Sequence, residues 1–142
     1  YTQKSYHHKP TFLPTRATAK SAGHDFFLKE DVTIQPGKAV FQSTDVKCRL
    51  NRDEVLLLFV RSSIGIKKHL MLANGTGVID ADYYGNADND GNIRLTLYNY
   101  GTETVTLVAG ERIMQGVVVD YKITENDGAF GSRVGGFGST GK

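Results

Sequence analysis

Ile93-Arg94-Leu95-Thr96-Leu97-Tyr98-Asn99 is the stretch that decides the fold. Ile93, Leu95 and Leu97 alternate with Arg94, Thr96 and Tyr98, and a period of two sends one set to a core face and the other outward. The pattern recurs on both sides. Val32 and Ile34 alternate before a Pro36-Gly37 turn, Val105 and Leu107 repeat the spacing, and Val55 to Val60 and Ile113 to Val119 are apolar runs of strand length. Turn signals at Asn51-Arg52-Asp53, Asp90-Gly91, Asn99-Tyr100-Gly101 and Ala109-Gly110 separate them. Short strands between such turns predict an all-β barrel or sandwich. Ser62 to Met71 is the one segment with room for a short helix.

A chain of 142 residues is about one domain and needs no disulfide or metal staple for its core. A formal charge of +2 is too mild to argue for a nucleic-acid groove, and it suits a small anionic ligand. No apolar run is long enough for a transmembrane helix, and Tyr1 to Pro10 lacks the apolar centre of a signal peptide, so no membrane partner is expected. Cys48 is the single cysteine, which points to a reducing, cytoplasmic setting. Its alternation with Val46 and Leu50 makes it a small buried hydrophobe rather than a nucleophile. The composition changes at Glu125-Asn126-Asp127-Gly128. Residues 1–127 therefore read as the β domain, and 128–142, rich in glycine and without strand or helix period, as a flexible C-terminal arm.

Gly77-Val78-Ile79-Asp80-Ala81-Asp82-Tyr83-Tyr84-Gly85 carries the most chemistry. On an extended segment Asp80 and Asp82 would share a face and Tyr83 would take the other. A carboxylate beside an aromatic ring at a hairpin mouth suits a site that activates water and holds a flat ligand. Arg61-Ser62-Ser63, at the end of an apolar strand, has the donors of a phosphate clamp. Gln115, in Gly110-Glu111-Arg112-Ile113-Met114-Gln115, could donate to an oxyanion, and Asp25 stands just before two aromatics. The arm contains matches to GxGxxG (Gly136 to Gly141) and GxxxxGK (Gly136 to Lys142), but those loops work between a strand and a helix N-terminus, and neither is predicted there. The histidines show no metal-ligand spacing. Asp88-Asn89-Asp90-Gly91 lacks the closing glutamate of a calcium loop and reads as the polar tip of a hairpin.

Taken in order, SAGHDF, VRSSIGI, GVIDADYYG, GERIMQG and RVGGFGSTG resemble the five ordered motifs of the homotrimeric dUTPases (deoxyuridine 5'-triphosphate nucleotidohydrolases). The resemblance runs from about Arg16 to Lys142. It implies a β jelly roll, a homotrimer with shared active sites, and magnesium-assisted hydrolysis of dUTP to dUMP and pyrophosphate. That activity keeps uracil out of DNA and supplies dUMP for thymidylate synthesis. The first, second and fourth motifs come from one protomer, the third from another, and the arm closes over a neighbouring active site.

Carried over by residue, the resemblance implies that Asp80 handles the catalytic water and that Asp82 ties down the hairpin. Tyr83 packs against deoxyribose, while Asn74 and the backbone of Gly77, Val78 and Ile79 read uracil. Arg61, Ser62, Ser63 and Gln115 bind phosphates. Phe137 stacks over the base, and Gly138, Ser139, Thr140 and Arg133 serve the γ-phosphate. Asp25 stands near the Mg2+ and acts on it through water. Two departures from the family pattern stand out. Arg133 is four positions before Phe137, one closer than usual, and Asn86 to Asn92 lengthens the third motif's hairpin, an extension expected to run into solvent. The related alternatives are a dCTP deaminase, which the GVIDADY run opposes, and a regulatory protein-binding member of the family, with a protein partner if the gene is phage-borne.

Overall fold

The computed structural model describes residues 12–138. Its strands are β1 (Thr15–Arg16), β2 (His24–Phe27), β3 (Val32–Ile34), β4 (Ala39–Ser43), β5 (Glu54–Val60), β6 (Leu70–Leu72), β7 (Gly77–Ile79), β8 (Arg94–Asn99), β9 (Val105–Leu107) and β10 (Arg112–Asp120). They pair antiparallel throughout, in three sheets ordered β1-β2-β10-β5-β7, β4-β8-β6 and β3-β9. The all-β expectation holds.

The period-two segment that decides the fold is β8, the middle strand of its sheet. Leu95 and Leu97 turn inward while Arg94, Thr96 and Tyr98 are only partly covered. One apolar cluster takes Leu95 and Leu97 from β8, Leu56 and Leu58 from β5, Ile113 and Met114 from β10, and Ile34 and Leu107 from β3 and β9, so all three sheets share a core. Fully burying each such side chain is worth about 1.5–3 kcal/mol relative to exposure. Asn99 ends β8 fully buried and satisfied: its Nδ2 donates to Ile34 O (2.9 Å) and Glu103 O (2.8 Å), and its Oδ1 accepts from Gly101 N. The polar turn signal at Asn99 is thus an internal tie. At Gly116 on β10 a Cβ would come within 2.8 Å of Leu56 and 3.0 Å of Phe26, so the central strand can pass between those side chains only without one.

Two expectations need correction. The expected helix between Ser62 and Met71 is a single π turn, Ser63–Lys67, after which the chain returns to strand as β6. His69, at φ 55°, stops helical propagation. The segment Asn86 to Asn92 does not run into solvent. Asn86, Asn89 and Asn92 are buried, because their amides bond inward to the loop's own backbone and to Tyr83 and Asp45.

Candidate active site

The third motif is a strand followed by a tight turn. β7 ends at Ile79, and Ala81–Tyr83 form a 3-10 turn with Asp80 as its N-cap residue. Asp80 and Asp82 therefore do not share the face of a strand. The turn nevertheless brings them within reach of one guanidinium, that of Arg133, whose Nη2 donates to Asp80 Oδ2 at 2.5 Å and whose Nε donates to Asp82 Oδ1 at 2.8 Å. Tyr83 does not lie on an opposite side either: Asp80 and Tyr83 line the same cavity, of about 550 Å³.

One wall of that cavity is β7 with Ala73 and Asn74 before it. β7 pairs with β5 on one side and is the last strand of its sheet. An edge strand presents alternate N–H and C=O groups that no neighbour uses, the donor–acceptor row a pyrimidine edge can pair with. Gly77 lets this wall close up, since a Cβ there would sit 2.9 Å from Leu58 Cβ. The facing wall includes Arg94, Leu95 and Thr96 of β8 and Met114 of β10, and the arm contributes Arg133, Phe137 and Gly138.

Of the residues singled out from sequence, Asn74, Gly77, Val78, Ile79, Asp80, Tyr83, Arg133, Phe137 and Gly138 meet at this cavity. Ser139 and Thr140 lie outside the described residues. Arg61, Ser62, Ser63, Gln115 and Asp25 are not in its lining and form a second group. Asp25, buried in β2, forms an ion pair with Arg61 Nε at 3.2 Å and accepts from Arg112 Nη1 at 3.5 Å. Gln115 is the cross-strand partner of Asp25. Its side chain packs against Gly23, where a Cβ would come within 2.5 Å of Gln115 Oε1. Ser62 and Ser63 are exposed at the start of the π turn. An arginine, two hydroxyls and an amide are groups that can donate to an anion.

Sequence reasoning gave Arg94 no binding role and did not notice Phe41. The guanidinium of Arg94 lies 5.7 Å from the Phe41 ring centroid, and Phe41 is in tilted contact with Phe137 at 6.4 Å. The Arg94 Nε is buried without a hydrogen-bond partner among the described residues. The alternation of β8 was the available signal, since it puts Arg94 and Thr96 on one face. Nothing local pointed to Phe41. Burial raises the Tyr83 phenol above its ordinary pKa, partly offset by the hydrogen bond from Asn89 and by Arg94 and Arg133.

A dUTPase family model matches residues 9–141, nearly the whole chain. The chain belongs to the dUTPase family. It is 40% identical over 131 residues to a deoxyuridine 5'-triphosphate nucleotidohydrolase of Lactococcus lactis, covering 91% of this chain and 87% of that one. The enzyme of the same name from Escherichia phage T5 is 41% identical over 124 residues, covering 82% and 79%. In structure the chain is similar to the dUTPase of Streptococcus mutans, with a TM-score of 0.75 and 44% identity over 80% of this chain and 89% of the other. The dUTPase fold is a β jelly roll, and the three antiparallel sheets around one core are its form here. None of the described helices is long and apolar enough to cross a membrane.

Proposed function

We propose that this chain hydrolyses dUTP to dUMP and pyrophosphate. The observation that carries the reading is the cavity at which Asp80, Tyr83 and the edge strand Gly77–Ile79 face one another. It offers a carboxylate for water, a ring for sugar, and a polar backbone row for a base. Uracil pairs with the open edge of β7 and with Asn74, and a cytosine there would leave buried donors and acceptors unmatched. Tyr83 meets the deoxyribose where a 2'-hydroxyl would stand. Asp80 orients a water and takes its proton as the water oxygen bonds to the α-phosphorus. The bond from that phosphorus to the bridging oxygen breaks, and pyrophosphate leaves with the electron pair.

The phosphates need more cations than the cavity holds. Arg61, Ser62, Ser63 and Gln115 are the donors suited to them, and they stand apart from the cavity lining. A trimer in which one protomer's anion-binding surface faces its neighbour's cavity brings both halves to one substrate. In that assembly an arm, with Arg133, Phe137 and Gly138, closes a neighbouring protomer's site through the kind of contacts it makes here within its own chain. Ser139 and Thr140 would then add hydroxyl donors to the γ-phosphate.

Magnesium fits as an ion carried by the nucleotide. Among the described residues no group of three or more His, Cys, Asp or Glu converges, and the Asp25 carboxylate is already shared by two guanidinium groups. Asp25 therefore meets a hydrated ion only through its water. When bound, the ion neutralises phosphate charge and orients the chain of phosphates for in-line attack. Work on a free nucleotide fits a cytoplasmic protein without nucleic-acid or membrane partners.

A nucleotide panel tests the reading. Pyrophosphate release from dUTP, dependent on magnesium and absent with dCTP, is expected. Ammonia release from dCTP would make the chain a deaminase, and silence with both nucleotides would leave a regulatory protein-binding role.

A further inference from the structure

The loop from Asn86 to Asn92 folds back onto Tyr83. The Tyr83 hydroxyl donates to Asn92 O at 2.7 Å and accepts from Asn89 Nδ2 at 2.8 Å. At the other end of the residue, Asn86 Nδ2 donates to Tyr83 O at 2.8 Å. The two asparagines lock each other: Asn86 Nδ2 also reaches Asn89 Oδ1 at 2.8 Å, and Asn89 N donates to Asn86 Oδ1 at 3.1 Å. Asn89 is 2% exposed, Asn86 6% and Tyr83 7%, so water does not compete for these bonds.

The loop is itself pinned. Lys47 pairs with Asp90 at 3.0 Å, and Asn92 exchanges hydrogen bonds with Asp45 across 3.0 Å. Gly91, at φ 82°, lies so close to Tyr83 O, Tyr84 Cα and Gly85 N that a Cβ would come within 2.9–3.0 Å of each. A side chain there would push the loop off the tyrosine.

We propose that Asn89, supported by Asn86, is the positioning residue that makes Tyr83 an unyielding wall against ribose. This rests on the reading of Tyr83 as the sugar-facing residue. An apolar surface rejects an added hydroxyl only weakly, because a ring that swings aside makes room for it. Rejection becomes strong when the ring is held to within about half an ångström by a satisfied supporting network. Tyr83 is held at its hydroxyl from two sides and at its carbonyl, with Gly136 of the arm against the ring edge. The loop supplies each of those hydrogen bonds.

The experiment measures kcat/KM for dUTP and for UTP in Asn89→Ala, Tyr83→Phe, their double variant and Tyr83→Ala. Asn89→Ala is expected to cut the dUTP/UTP ratio about tenfold, the worth of one buried hydrogen bond, through faster UTP turnover with dUTP little changed. Tyr83→Phe, which also loses the bond to Asn92 O, should lower the ratio at least as far, and the double variant should be no worse than Tyr83→Phe, because the Asn89–Tyr83 bond is already lost there. Should Asn89→Ala not fold, Tyr83→Phe leaves the asparagine bonds within the loop in place and removes the same bond from Asn89 Nδ2, and a fall in the ratio is expected there. A second readout is the Tyr83 phenol, which should titrate at higher pH without Asn89. An unchanged ratio in Asn89→Ala or Tyr83→Phe beside a collapsed ratio in Tyr83→Ala overturns the positioning role, as does full additivity in the double variant. An unchanged ratio in Tyr83→Ala overturns the sugar reading itself, and the proposal falls with it.

Discussion

Arg133 bridges Asp80 and Asp82: its Nη2 donates to Asp80 Oδ2 at 2.5 Å and its Nε to Asp82 Oδ1 at 2.8 Å, with both carboxylates still about half exposed. A carboxylate engaged in this way has one oxygen fewer to offer a water. A triphosphate is the stronger partner for a guanidinium fork and is expected to draw Arg133 away from Asp80 on binding. Arg133→Ala should therefore raise KM for dUTP about tenfold to a hundredfold, the range of a charge-assisted hydrogen bond, with a smaller effect on kcat. A loss confined to kcat in steady-state kinetics would mean that Arg133 acts on Asp80 during the reaction and does not bind phosphate.

Asp80→Asn should leave folding and dUTP affinity intact and lower kcat by orders of magnitude. The amide keeps the shape and cannot accept the proton of the attacking water. Single-turnover kinetics on the variant, with binding measured separately, separates the two effects. Near-normal turnover would move the base elsewhere, and Asp82, held by the same guanidinium, is the next residue to replace.

Asp25→Ala removes the shared acceptor of Arg61 and Arg112. The expected result is a loss of about 1–3 kcal/mol in urea unfolding, since both guanidiniums retain some access to water. KM for dUTP should rise because Arg61 is no longer aimed. Asp25→Asn, which keeps an oxygen for Arg61, should recover most of the stability and part of the affinity. If both variants bind dUTP normally, Asp25 does not orient the phosphate ligands.

Mixing a chain carrying Asp80→Asn with one carrying Arg61→Ala tests the shared site. Each homogeneous assembly should be nearly inactive. Mixed assemblies should regain partial activity, because some sites then combine an intact Asp80 from one protomer with an intact Arg61 from another. Background activity in demonstrably mixed oligomers would place the whole site within one chain.

The Cys48 thiol is half-buried against the core, and burial, followed by Glu54, raises its pKa. The fold thus favours the neutral thiol. Its contribution to stability is full below the ordinary thiol range and is lost as pH rises through the raised value. Alkylation of native protein at neutral pH should be slow and should accelerate in urea. Rapid native alkylation would show that the thiol is accessible as thiolate.

How far the fold was legible follows from where the information lies along the chain. The alternation of Leu95 and Leu97 with Arg94 and Thr96 is complete within seven residues, and β8 forms where it says. The third motif was legible as residue types and misleading as geometry. The extended reading carried Asp80 and Asp82 past the point at which the 3-10 turn begins, and no local pattern marks that boundary. The loop after it was misjudged for a related reason. Asparagines, aspartates and glycine in a row ordinarily mean a solvated tip, and only a tyrosine several residues earlier makes them a buried network.

By itself the sequence determined the all-β class, the positions of β3, β5, β8, β9 and β10 and much of the chemical inventory of the site, because periodicity, turn residues and side-chain chemistry are local properties. Tertiary structure alone decided which of those groups meet. Arg133 and Asp80 lie far apart along the chain and are brought together by the path of the arm. Asp25 meets Arg61 across β10, which lies between β2 and β5 in the sheet. Asn89 became a support for Tyr83 because a glycine let the loop close onto the backbone. Each of these contacts depends on strand order or on close backbone approach, and a one-dimensional pattern carries neither.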